Sequence, residues 1–199
     1  MRNTVSRGFT LAELMLTIAV AGILAAVAIP NMRDFIRNNR LTAGANDLLR
    51  SMQLARSEAI KQRTNVVVCA SADPQSDTPA CGDDTSFAGW IVFADENSNW
   101  EFDATERILE RHPLLDSTIS VVHDEDGIVS YGPSGFANTA GAKTPTRNVV
   151  MCDARGNRQV ADNSTARAIV IEPTGRSRAT RSYADVTKVL DDIGGGCAG

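Results

Sequence analysis

The sequence predicts an α+β protein in which a long N-terminal α-helix, membrane-spanning in its first half and amphipathic in its second, packs on an antiparallel β-sheet domain. Three observations predict it. An uncharged apolar run extends from Leu14 to Ile29 and, with Phe9 to Leu11, reaches the about 20 residues that carry a helix across a bilayer's hydrocarbon core. Beyond Pro30, Leu41, Ala45, Leu48, Leu49, Met52, Ala55, Ala59 and Ile60 recur at the three- and four-residue steps of a helix with one apolar face. From Thr64 the pattern changes to short β-branched or aromatic runs between clusters of Gly, Pro, Asp and Asn, which mark strands and turns.

The helix is read first. Arg2 and Arg7 precede the apolar run and keep the N-terminus cytoplasmic by the positive-inside rule, so the domain that follows is periplasmic. A cleaved signal peptide is the rival reading, with Ala26 to Ala28 as its small-residue site. Against it stands Glu13, a carboxylate inside the apolar run that costs a few kcal/mol unless paired. The resumption of helical periodicity after Pro30 also argues for one long helix, interrupted near that proline. Strands are expected at Thr64 to Ala70, Ala88 to Ala94, Thr118 to His123, Arg147 to Cys152 and Ala168 to Ile171, and Gly132 to Thr146 is expected as a long flexible loop. A chain of 199 residues with 43% hydrophobic residues is long enough for one domain with a proper core.

The stretch "RGFTLAEL" resembles the class III signal of type IV prepilins and type II secretion pseudopilins. Cleavage by a prepilin peptidase between Gly8 and Phe9, and N-methylation of Phe9, are what the resemblance implies. Glu13 would then offset the Phe9 amine in a packed filament, where low dielectric strengthens the pair. Pro30 stands where related pilins carry a helix-breaking proline. The resemblance implies four segments: a leader over 1–8, a transmembrane and filament-core helix over 9–30, an amphipathic half over 31–63, and a β-rich domain over 64–199. "GWIVFADENSNWEFDATERIL", "VVMCDARGN" and "IVIEPTGRSR" extend it to the GspH/FimT group of minor pilins and pseudopilins, which have the type IV pilin fold.

Four cysteines behind an export-like N-terminus read as disulfides of an oxidising compartment, and four allow three pairings. The family resemblance implies Cys69 with Cys81 and Cys152 with Cys197. His112 and His123 are the only histidines, and neither lies in a metal or nucleophile motif, so neither catalysis nor a cofactor is indicated. "DENSNWEFDATE" places Asp95, Asn97, Asn99, Glu101, Asp103 and Glu106 at the ligand spacing of a calcium loop, but Trp100 stands where such a loop needs glycine. The reading taken is a polar hairpin tip without metal.

Charge is unevenly spread. Asp83 to Asp126 holds twelve acidic and two basic residues, whereas Lys143 to the C-terminus holds nine basic and six acidic. A nucleic-acid contact must therefore come from the later part. There "GRSRATR" supplies Gly175, Arg176, Arg178 and Arg181, with Arg176 and Arg178 on one side of an extended chain. Paired guanidinium groups suit phosphate oxygens. The motif resembles the Gly-Arg-x-Arg element with which FimT-type minor pilins bind DNA during natural transformation, and Lys143, Arg147, Arg155, Arg158, Arg167 and Lys188 are candidates to widen the patch. The expected partners are other major and minor pilins, the prepilin peptidase, the inner membrane before assembly, and double-stranded DNA once the pilus is extracellular. An assembly-priming minor pilin of FimU type and a GspH-type pseudopilin of type II secretion remain alternatives.

Overall fold

The computed structural model describes residues 9–82, 87–139, 141 and 143–197. The leader, with Gly8, lies outside the described residues. By its internal contacts the chain divides into a unit ending at Asn39 and a second unit, Arg40–Gly199.

Helix α1 runs Leu11–Gln62. It is long and apolar enough to cross a membrane, with mean hydropathy 2.3 over its most apolar window, and its large apolar side chains from Leu11 to Ile36 are exposed. The interruption expected near Pro30 is corrected: the backbone is helical on both sides of the proline and through it. A proline removes a single donor, and the helix former residues around it keep the remaining ladder. From Leu41 onward one face is buried. Leu41, Ala45, Leu48, Met52, Ala55 and Ala59 form the helical side of the main core, and truncating one of its fully buried leucines costs about 2–5 kcal/mol.

Two antiparallel sheets meet that face. The first holds β1 (Asn65–Ala70), β2 (Trp90–Asp95), β3 (Ile108–His112) and β5 (Ile128–Tyr131) in the order β3-β2-β1-β5. The second holds β4 (Ser120–His123), β6 (Asn148–Cys152), β7 (Gln159–Val160), β8 (Asn163–Ile171) and β9 (Ser177–Ser182), in the order β4-β6-β8-β7 with β9 paired to β8. Strand alternation sorts the side chains. Val66, Val68 and Ala70 of β1, Trp90 and Val92 of β2, and Ile169 and Ile171 of β8 face the main core, while Val67, Cys69, Ile91 and Phe93 face outward.

Each outer face has its own cover. Trp100, Phe102 and Cys81 close the first sheet, and Cys81 is bonded to Cys69 with Cα atoms 5.6 Å apart. The second is closed by helix α2 (Tyr183–Ile193), through Val186, Val189 and Leu190 on Val150, Ala166 and Ala168. A Cys152–Cys197 bond, with Cα atoms 5.7 Å apart, fastens the chain beyond α2 to β6. The two bonds, at separations of 12 and 45 residues, contribute roughly 3 and 4 kcal/mol in the chain-entropy account.

The α2 helix was not among the expected elements. Ser182 caps it by accepting the Asp185 amide, and Gly194 ends it in the left-handed conformation. Nor is Gly132 to Thr146 without structure: its first part folds back, with Ala137 bridged to Tyr131.

Candidate nucleic-acid interface

The β8–β9 connection is built from "EPTGR". The Gly175 N–H donates to Glu172 O at 2.9 Å, and the Glu172 N–H donates to Arg176 O at 2.9 Å. Pro173 fits the start of such a turn because its φ is preset, and Gly175 supplies the left-handed φ of 78° that closes it. Arg176 and Arg178 are exposed, and among the described residues neither side chain makes a hydrogen bond or ion pair. Arg178 stands opposite Val170 in the β8–β9 register. Alternation along β9 sends Arg181 to the other face, where its charge and burial together depress the pKa of Arg167, burial being the larger cause. The turn thus carries Gly175 and Arg176, Arg178 follows two residues on within β9, and Arg181 lies on the other face of that strand.

A second turn of the same construction lies against the first. In "GPSGF" the Gly135 N–H donates to Gly132 O at 2.9 Å and the Gly132 N–H donates to Phe136 O at 3.0 Å, with Gly135 also at φ 78°. The two turns touch through their glycines: a Cβ on Gly175 would overlap Gly135 O, and one on Gly135 would meet Ile60 Cδ1 at 2.7 Å. The Ala137 N–H donates to Pro173 O at 3.2 Å. Arg56 of α1 fastens both turns, donating from Nε to Gly135 O at 2.9 Å and from Nη2 to Thr174 O at 3.3 Å. Beneath them the Tyr131 hydroxyl pairs with Ser177 Oγ at 3.0 Å. Burial pushes the Tyr131 pKa up, against the opposing influence of that bond and of the Arg56 and Arg147 charges. A cavity of about 350 Å³ opens between this face of α1 and the turn, lined by Met52, Gln53, Arg56, Gly175, Arg176 and Ser177.

Most other basic candidates already have partners within the chain. Arg155 pairs with Asp153, and both are nearly buried. Arg167 donates to Thr42 Oγ1 and to backbone carbonyls of its own strand. Lys143 pairs with Glu101 at 3.5 Å, Lys188 with Asp192 at 2.7 Å, and Arg147 donates to Asn138 O. Of the six residues proposed to widen the patch, Arg158 is the one left exposed with no side-chain partner among the described residues.

The acidic stretch is likewise turned on itself. Asp95 accepts the Asn99 amide on Oδ1 and the Trp100 amide on Oδ2, Asp103 Oδ2 accepts from Asn97 and Asn99, and Glu106 accepts the Glu96 and Asp103 amides. Asn99 Oδ1 accepts the Glu101 amide. Trp100 adopts φ 62° itself while its ring is buried in the outer cluster. Among the described residues no group of three or more His, Cys, Asp or Glu is placed to hold a metal.

At the other end of the chain, Phe9 is 85% exposed and Thr10 caps α1. Glu13 Oε2 accepts from the Thr10 amide and hydroxyl at 2.9 Å, and Thr10 Oγ1 accepts the Glu13 amide at 3.3 Å. This reciprocal capping box is a use for Glu13 inside its own chain that sequence reasoning missed, although Thr-x-x-Glu signals it.

Two family models match the sequence. Residues 44–175 match "Type II transport protein GspH", and residues 3–29 match the "Prokaryotic N-terminal methylation motif". The chain belongs to the GspH family. With the methylation motif, this makes the GspH-family chain a type IV minor pilin or pseudopilin, a structural protein and not an enzyme. Among curated proteins, a fimbrial protein of Pseudomonas aeruginosa is 36% identical over 69 residues, 35% of this chain and 43% of its own length. A fimbrial protein of Neisseria meningitidis is 36% identical over 77 residues, 36% of this chain and 45% of that protein. The GspH-family chain thus spans less than half the length of these relatives. Among solved structures, the minor pilin FimU of Pseudomonas aeruginosa is 19% identical with a TM-score of 0.47, over 75% of this chain and 98% of that one. The minor pseudopilin EpsH of Vibrio cholerae is 11% identical with a TM-score of 0.46, over 71% and 97%.

Proposed function

We propose that this GspH-family chain is a minor pilin of a dynamic type IV pilus, and that it captures double-stranded DNA for uptake through the β8–β9 turn. One observation carries the reading: Arg176 and Arg178 are exposed with unpaired side chains, on and directly after a turn fixed by close glycine packing, while most of the other basic candidates have partners within the chain. Guanidinium groups left free in this way meet phosphate oxygens without reading base sequence. Arg181, on the opposite face of β9, contributes to the field rather than to the contact.

The exposed apolar half of α1 anchors the precursor in the inner membrane and later packs among other major and minor pilins. Cleavage between Gly8 and Phe9 by a prepilin peptidase and methylation of the Phe9 amine precede that step. Glu13 Oε2 is taken up by Thr10, which leaves Oε1 to meet the amine of Phe9 on a neighbouring subunit. The pseudopilin reading is favoured by one observation, the description of the matching family as a type II transport protein.

Transformation and piliation separate these readings. Cells carrying Arg176→Ala with Arg178→Ala should keep normal pili and lose DNA uptake. Loss of pili would point to assembly priming, and a secretion defect without a transformation defect would point to type II secretion.

A further inference from the structure

The turn that carries Arg176 has a twin, and the residue of the twin that corresponds to Arg176 is Phe136. Both follow a left-handed glycine, and both supply the carbonyl that closes their turn, Phe136 O to the Gly132 amide and Arg176 O to the Glu172 amide. The flanks of Phe136 are fixed against the basic turn, Gly135 through the glycine contact and Arg56, and Ala137 through its bond to Pro173 O. Gly135 and Ala137 thus face inward, and the Phe136 ring is left 56% exposed. A large apolar ring so displayed, on a turn packed against the one that carries Arg176, has no role in the core clusters.

We infer that Phe136 and the Arg176–Arg178 turn form one composite site, in which a nucleobase stacks on the Phe136 ring while the guanidinium groups hold the adjoining phosphates. The inference rests on the duplex-DNA reading of the turn and extends it to the unpaired ends and single-stranded stretches of such DNA, where bases are accessible. An aromatic face beside cationic groups is the combination that holds single strands with little regard for sequence, because every base offers a π-face. An intact duplex presents its phosphates to the arginines but keeps its bases stacked away from the ring. The carboxylate in the turn, Glu172, is directed at the Thr174 hydroxyl at 3.4 Å and is not paired with either arginine. The fixed charges behind the two turns, Arg56 and Arg147, are positive and favour an anionic strand.

The test is a fluorescence-anisotropy titration of the full chain in detergent micelles with a 20-nucleotide single strand of mixed sequence and with the matching blunt duplex. The wild type is compared with Phe136→Leu, Phe136→Ala and the Arg176→Ala/Arg178→Ala pair. The expected result is tighter binding of the single strand than of the duplex per phosphate, a loss of about tenfold for the single strand in both Phe136 variants, and unchanged duplex binding. Leucine keeps the apolar bulk and removes the π-face, so equal loss in Leu and Ala assigns the effect to stacking and not to bulk. Thermal melting of the Phe136 variants should match the wild type. Arginine-dependent binding that both Phe136 variants retain in full on the single strand would overturn the composite site and leave the phosphate contact standing. Binding untouched by the arginine variant, or no binding of either nucleic acid by the wild type, would instead overturn the reading of the turn itself and with it this inference.

Discussion

The twelve-residue β2–β3 connection and the five-residue β8–β9 turn are both polar and charged, yet they treat charge in opposite ways. In the first, Asp95, Asp103 and Glu106 accept hydrogen bonds from the loop's own amides and asparagines, so a row of carboxylates becomes a scaffold. In the second, Arg176 and Arg178 stand free while glycine packing and Arg56 hold the backbone. The difference teaches that a charged cluster in a sequence identifies a site only when its bonding capacity is left over after folding. Carboxylates accept from nearby backbone N–H groups readily, whereas a long guanidinium beside a tight turn has few local acceptors.

The largest effect should come from removing what holds the basic turn. Gly175→Ala places a Cβ into Gly135 O and strains a φ of 78°, so it should lower stability by about 3 kcal/mol in denaturant titrations and abolish DNA binding. Next comes the acidic loop. Asp95→Ala strands the Asn99 and Trp100 amides and should cost about 2 kcal/mol with no change in DNA affinity, while millimolar calcium leaves the wild-type Tm unmoved. A calcium-induced rise in Tm would break the contrast between the loops.

The smallest effect is in pH. Desolvation raises the pKa of Asp95 and of Glu106 over the opposing amide bonds. Between the ordinary and raised values the folded chain binds more protons than the unfolded one. The contribution to stability is therefore full below the ordinary carboxylate pKa, about 4, and is lost as pH rises through the raised values. Asp95→Asn should flatten its share of that slope in a Tm-against-pH series.

Much of the architecture was legible because apolar pattern and architecture coincide. The apolar span and the inner face of α1 repeat apolar residues at helical length and spacing, and the centres of β1, β2, β6 and β8 carry runs of buried, mostly β-branched or aromatic residues. Strands β3 ("ILERH") and β9 ("SRATRS") were not legible, because both are half-exposed edge strands whose polar residues resemble a loop. Helix α2 had its signals in place, a Ser182 cap, Val186, Val189 and Leu190 at helical spacing and Gly194 at its end, hidden behind a segment read only for its arginines. At the site, the spacing of Arg176 and Arg178 was visible. Arg56 was not, since its acceptors lie 79 and 118 residues away. The twin turns had a readable trace, "PSGF" and "PTGR", but only their contact in space gives the repeat meaning.

The central claim, that the free arginines of the β8–β9 turn hold DNA phosphates, is tested most directly by the salt dependence of duplex binding. The full chain in detergent is titrated with duplex DNA across a salt series from roughly 50 to 200 mM, beside the Arg176→Ala/Arg178→Ala variant. The account predicts that the wild-type log affinity falls linearly with log salt, and that the variant loses most of its affinity and about 2 from the slope, one for each phosphate contact removed. Equal affinity and equal slope in the two proteins would contradict it.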